Sequence, residues 1–156
     1  MKEPRQASGA DISIRRAGSS DAEFAYHVLV TTMREYAELT WGKWLETEAR
    51  ASVVADARTG RSQIIELASA PVGLLCVDRL DTHLQLDSLY VLPEHQKRGI
   101  GGHVLRLVLA DASACGLPVR LRVLRVNPAR QFYERHGFKV VAEAPERFFM
   151  EYRVTP

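Results

Sequence analysis

Cysteine is scarce in this sequence. Cys76 and Cys115 are the only two among 156 residues, too few and too far apart for a zinc cluster or the disulfide framework of a small secreted domain. Both read as small buried hydrophobes, and no metal is implied. Long apolar runs are missing too: Asp, Arg or Glu interrupts each one well before the ~18 residues of a membrane span. The first ten residues, MKEPRQASGA, hold no apolar stretch of a signal peptide, so the expected location is cytoplasmic, with no membrane partner. Nor does one sign of charge dominate. The 21 Lys and Arg against 19 Asp and Glu leave a net +2, too little to point to a nucleic-acid partner.

What is present is an ordinary globular balance, 46% hydrophobic and 26% charged, which supports a core without metal or disulfide help. The length suits one domain, expected over residues 11–156 behind a flexible tail of residues 1–10. The charge is locally uneven. Between His95 and Arg135 eight basic residues (Lys97, Arg98, Arg106, Arg120, Arg122, Arg125, Arg130, Arg135) meet only Asp111 and Glu134. A compact polyanion suits that stretch, although arginines also simply solvate helix faces.

Periodicity outlines the elements. Ile12 and Ile14 alternate with Ser13 and Arg15 as in a half-buried strand. Ser20 with Glu23 three residues on forms a capping-box pattern, and Phe24, Val28, Leu29, Met33, Tyr36 and Leu39 recur at helical spacing, predicting a helix from about Asp21 to Leu39. A second helix is expected from about Lys43 to Ala57. Short runs at 63–67, 72–77 and 83–92 then predict an antiparallel meander. Helical spacing returns at Ile100, Val104, Leu107, Val108 and Ala112 and ends at Gly116. Val119 to Val126 alternates Val or Leu with Arg, a strand with one wet face. Asn127-Pro128 opens a short helix that Gly137 closes, and strands near 138–143 and 147–154 follow. The result is an α+β domain in the order β-α-α-β-β-β-α-β-α-β-β, with a mostly antiparallel sheet flanked by helices.

The most informative stretch is Leu86 to His103, LDSLYVLPEHQKRGIGGH, in which a strand enters a glycine loop and then a helix. Glycines let backbone N–H groups approach a ligand, and a helix N-terminus favours an anion. Lys97 and Arg98 add charge. A Gly-x-Gly-Gly turn is weak evidence alone, since glycines also permit tight turns. The G-x-x-x-x-G-K-[ST] loop is absent, as is a G-x-G-x-x-G with its distant acidic residue in a βαβ unit, which argues against a triphosphatase and a dinucleotide fold.

Gln96, Gly99 and Gly101, after a strand ending L-Y-V-x-P, resemble motif A of the GNAT superfamily of acyl-CoA-dependent N-acetyltransferases. Asn127-Pro-Ala-Arg-Gln-Phe-Tyr133-Glu-Arg-His-Gly137-Phe138 resembles a second family segment at the expected distance. The resemblance implies a GNAT-like fold and acetyl-CoA as cofactor. It implies that the backbone of Leu89, Tyr90 and Val91 pairs with the pantetheine arm. The amides from Gln96 through Lys97, Arg98, Gly99, Ile100 and Gly101 to Gly102 would hold the pyrophosphate, with Arg98 and Lys97 adding charge. Asn127 would reach the cofactor, though its role as helix cap is a sufficient structural account. Arg130 would touch the nucleotide end of CoA or be a solvated helix arginine. A homodimer through late strands comes from the resemblance and not from these residues.

Tyr133 sits where the family commonly places a phenol near the thioester sulfur, suited to general-acid work on a departing thiolate; the alternative is packing with Phe132 and Phe138. The base departs from the best-known members, because Gln85 stands where some carry a catalytic glutamate. Asp87, two residues on and on the same face if no bulge intervenes, is the first candidate and His83 the second, with a water chain equally compatible. Met33, Tyr36, Glu38 and Trp41 are candidates for receiving the amine, by cation–π and charge contact; aromatics at helical spacing are more often core. This run resembles one in bacterial members whose acceptors are not known. The implied activity is direct acetyl transfer to a primary amine of a small molecule or protein, in a ternary complex. The alternative is a non-catalytic acyl-CoA-binding or sensing module of the same fold.

Overall fold

β1 (Ile12–Arg16), β2 (Ser62–Leu67), β3 (Ala70–Arg79) and β4 (Leu84–Val91) form one half of a seven-stranded sheet. The other half is β5 (Val119–Leu124), β6 (Lys139–Glu143) and β7 (Arg147–Tyr152). The strand order is β1-β2-β3-β4-β5-β7-β6, and every pairing is antiparallel except β4 with β5. This computed structural model describes residues 5–155. The expected tail of residues 1–10 therefore lies partly outside the described residues. Within them Gly9–Asp11 form a 3-10 turn, and the Ala7 N–H donates to the Arg98 carbonyl at 2.9 Å.

Two helical layers cover the sheet. α1 (Ala22–Trp41) and α2 (Glu46–Thr59) bury Ala25, Val28, Val53 and Ala57 with Ile64 and Leu74 of the sheet. On the opposite face α3 (Ile100–Cys115) and α4 (Ala129–Arg135) bring Val104, Leu105, Val108 and Tyr133 onto Leu86, Leu121, Val123, Phe148 and Met150. The alternation of β5 produces this directly: Val119, Leu121 and Val123 are buried, and Arg120 and Arg122 between them are exposed.

Some boundaries differ from the sequence reading. α1 continues to Trp41 because Gly42, at φ 77°, is the first residue to take the left-handed cap. α2 begins at Glu46 rather than Lys43. Ser20 does not cap α1: residues Ser19–Asp21 form a 3-10 turn, in which the Gly18 N–H donates to Asp21 Oδ2 at 2.8 Å. β5 stops at Leu124, where the chain turns and the Asn127 N–H reaches the Leu124 carbonyl at 3.0 Å.

Two irregularities shape the middle of the sheet. β4 and β5 pair only at Leu84 with Val119 and Gln85 with Arg120, after which they separate. On its other side β4 bulges: Cys76 opposes Ser88 and Val77 opposes Leu86, so Asp87 has no partner. The extra residue changes the parity of the strand. Leu84 and Leu86 before it, and Leu89 and Val91 after it, all meet the α3 side, while Tyr90 packs toward α1 and α2.

Candidate active site

The loop after β4 is held at both ends. The Leu92 N–H donates to the Val72 carbonyl at 2.9 Å, and Gln96 Nε2 donates to the Val91 carbonyl at 2.9 Å. Lys97 (φ 61°) and Gly99 (φ 80°) both take left-handed backbone, which glycine adopts freely and lysine at a cost of about 1 kcal/mol or more. The first helical bond of α3 runs from the His103 N–H to the Gly99 carbonyl at 3.0 Å. The N–H groups of Ile100, Gly101 and Gly102 therefore have no intrahelical acceptor and point out of the helix start. Arg98 is partly engaged elsewhere, its Nε donating to the Arg5 carbonyl at 3.0 Å.

Beyond its two residue pairs, the separation of β4 from β5 leaves a cavity of about 290 Å3. Because the Leu92 N–H faces β3, strand alternation turns the N–H and C=O of Val91 and of Leu89 toward the open side. The cavity joins both faces of the sheet: Leu89, Leu121, Val123 and Tyr133 line it from the α3–α4 side, and Leu29, Met33, Ala37, Trp41 and Trp44 from the α1 side. On α1 the lining residues Leu29, Met33 and Ala37 recur every four positions.

Tyr133 belongs to the core and to the cavity wall at once. Its ring meets Phe132 at 5.2 Å and Phe138 at 5.5 Å, both edge-on. Burial pushes its phenol above the ordinary value of 10, and the nearby Tyr90 adds to the effect. The hydroxyl thus stays protonated and able to donate. Asn127 Oδ1 accepts from the Ala129 N–H at 2.9 Å, capping α4, while the residue also lines the cavity. Arg130 lies outside it: Nε donates to Glu134 Oε1 at 2.8 Å and the guanidinium stacks 4.2 Å over Phe148.

Asp87 lines the cavity at the bulge. Its Oδ2 accepts from Arg61 Nη2 at 3.1 Å, and Oδ1 lies 3.7 Å from Arg122 Nη2. Gln85 and His83 bond to each other at 3.1 Å, and neither lines the cavity. The same-face expectation for Gln85 and Asp87 required an unbulged strand, and that condition is not met, because the bulge lies at Asp87 itself. Of the four acceptor candidates, Met33 and Trp41 reach the cavity and Tyr36 and Glu38 do not. The helical phase explains the difference: with Ala37 facing inward, its neighbours on either side are rotated about 100° away, and Glu38 instead pairs with Arg34 at 2.7 Å on the exposed face. Arg122, Trp44 and Arg147 also line the cavity. Residue periods place Trp44 only within the expected second helix and Arg147 only within an expected strand, because the place of Arg147 at the cavity depends on the pairing of β7 with β5.

Residues 48–140 match the sequence profile of the acetyltransferase (GNAT) domain. The chain belongs to the GNAT acetyltransferase family. Its cofactor is accordingly acetyl-CoA, and the acceptors of GNAT enzymes bear amines. Solved structures share the GNAT fold over nearly the whole chain at low identity. PaiA N-acetyltransferase from Thermoplasma acidophilum, solved in complex with coenzyme A, is 21% identical with a TM-score of 0.72, covering 91% of this chain and 98% of that one. Ard1 from Thermoplasma volcanium is 19% identical with a TM-score of 0.71, covering 94% and 99%. An acetyltransferase from Thermus thermophilus is 18% identical with a TM-score of 0.74, covering 99% and 100%. No curated protein matches the chain. Among the described residues no helix of this GNAT domain is long and apolar enough to cross a membrane, and no His, Cys, Asp and Glu cluster fits a metal ion.

Proposed function

We propose that this GNAT domain transfers the acetyl group of acetyl-CoA directly to a primary amine of a small-molecule or protein acceptor, both bound at once. The observation that carries the reading is the parted β4–β5 wedge, open to both sheet faces, with a buried phenol on its wall and β4 leading on into a loop that ends at the free amides of α3.

The residues present fit the cofactor. The amides of Ile100, Gly101 and Gly102, with those of Lys97 to Gly99 and the Lys97 and Arg98 charges, form a cradle for the diphosphate; the Gln96 N–H already donates to the Pro93 carbonyl at 3.2 Å. The open side of β4 offers the backbone groups of Leu89 and Val91 to an extended arm, those of Tyr90 between them facing β3, and Asn127 closes the far side. Acetyl-CoA supplies the acetyl group activated as a thioester. The Val91 N–H, facing the wedge, is the proposed donor to the carbonyl oxygen as charge develops there. Tyr133, kept protonated by burial, donates to the departing sulfur. Asp87 accepts the amine proton through water, with Arg61 holding the carboxylate in place.

The test combines binding with turnover. Thermal unfolding with acetyl-CoA, CoA, ATP and NAD at matched concentration should rise only with the first two, since a ligand at 100 times its Kd adds ~2.7 kcal/mol. Thiol release on adding an amine panel then separates an enzyme from an acyl-CoA sensor. A stabilising shift with no amine-dependent release, for any amine, would reject the transferase reading.

A further inference from the structure

The wedge opens toward a basic sheet face. On one face of β5, exposed Arg120 and Arg122 and buried Leu124 stand opposite Glu151, Phe149 and Arg147 of β7. The arginines here are not equally partnered. Arg120 Nε donates to Glu151 Oε2 at 2.9 Å. Arg147, at the cavity, has a buried Nε that makes no hydrogen bond among the described residues. Its Nε pairs ionically with Glu146 Oε1 at 3.6 Å, too long for a hydrogen bond. Its guanidinium stands 5.8 Å from the Trp41 ring, which forms a half-exposed apolar wall. Arg122, diagonal to Arg147 on the same face, has only the 3.7 Å approach of Asp87, whose other oxygen is bonded to Arg61.

We infer that the acceptor carries an anionic group, a carboxylate or a phosphate, which Arg147 grips with Arg122 beside it. The inference rests on the transferase reading above. A buried guanidinium N–H without an acceptor is an unmet demand, and the planar fork matches the oxygens of carboxylate and phosphate. Both ends of such a molecule find opposite charge inside one cavity of about 290 Å3: the amine near Asp87, the anion at Arg147. The size favours a compact acceptor, an amino acid or a phosphorylated amine.

The experiment has two arms on the purified protein. In the first, CoA release is measured with amino acids, the matching amino-acid amides, phosphoethanolamine and ethanolamine. The inference expects at least a tenfold higher kcat/KM for the anionic member of a pair, through KM. Arg147→Gln should cut that ratio at least tenfold, and Arg147→Lys should restore part of it. The carboxylate and phosphate pairs show which anion is read. In the second arm, binding of N-acetyl amino acids and of their amides is followed by tryptophan fluorescence with CoA present, Trp41 and Trp44 lining the site. Preferential binding of the acid, lost in Arg147→Gln, supports the subsite even if no amine is acetylated, in which case the transferase reading fails alone. Acetylation of neutral amines as efficiently as anionic ones, or an acid-to-amide ratio unchanged by Arg147→Gln, overturns the inference and leaves the transferase reading standing.

Discussion

The Arg61 guanidinium lies 3.1 Å from the Asp87 carboxylate, at the one residue of β4 that the bulge leaves without a partner on β3. Arg61 Nη2 also donates to Asp78 Oδ2 at 2.6 Å, and Nη1 to Asp56 Oδ2 at 2.9 Å. One cation thereby ties α2, β3 and β4 together and aims the carboxylate into the wedge.

Different consequences for stability follow for the two partners. Asp87→Asn keeps the shape and removes the charge, so kcat should fall about 10- to 100-fold with Tm nearly unchanged. Arg61→Gln leaves three carboxylates facing one another; it should cost about 1 kcal/mol of stability, besides lowering kcat. Thermal melts beside initial rates check both. A fully active Asp87→Asn would remove Asp87 from the proposed mechanism.

Tyr133→Phe retains the ring that packs on Phe132 and Phe138 and deletes the proton. Turnover should drop about 100-fold while CoA affinity changes less than threefold. Because burial raises the phenol above 10, wild-type kcat should show no descending limb from this group up to about pH 10. A limb with a midpoint near pH 8 that vanished in Tyr133→Phe would contradict the assignment.

Asp21 receives two bonds from Arg15, 2.9 and 2.8 Å, which lower its pKa from 3.8 to about 2, opposed in part by burial. A carboxylate depressed on folding contributes stability above its unfolded pKa and loses it as pH falls through the folded value. The contribution should therefore be whole at pH 5 and fade between about pH 4 and pH 2. Asp21→Asn should cost about 1–2 kcal/mol at pH 7, with the gap closing in acid; denaturant melts at pH 7, 4 and 2.5 measure it.

Burial pushes the Cys76 thiol up to about 12, whereas Cys115 is half-buried near the end of α3. A thiol reagent at pH 8 should modify Cys115 first in the native protein and Cys76 only on unfolding. Peptide mapping after timed labelling would show the order, and equal rates would mean that the Cys76 pocket opens readily.

Much of this protein is readable without coordinates, because local patterns act locally. The 3.6-residue recurrence of Val104, Val108 and Ala112, the Val-Arg alternation of β5 and the glycines around Ile100 each report a backbone preference within a few residues. Order and type of all eleven main elements follow from them, as does a loop suited to phosphate. The wedge is different in kind. It exists because β4 and β5 part after two residue pairs, and strands separated by a whole helix have no local signal for where pairing stops. The bulge at Asp87 is a register shift between strands, not a feature of LDS as a tripeptide. Trp41 and Met33 enter the cavity while Tyr36 and Glu38 do not, a matter of how α1 is rotated against the sheet. Arg147, one arginine among many in sequence, has a buried Nε without a hydrogen-bond acceptor only when β7 lies against β5. Residue chemistry and short-range geometry came with the chain order; which charges meet, and which are left open for a ligand, was decided by packing between elements far apart in it.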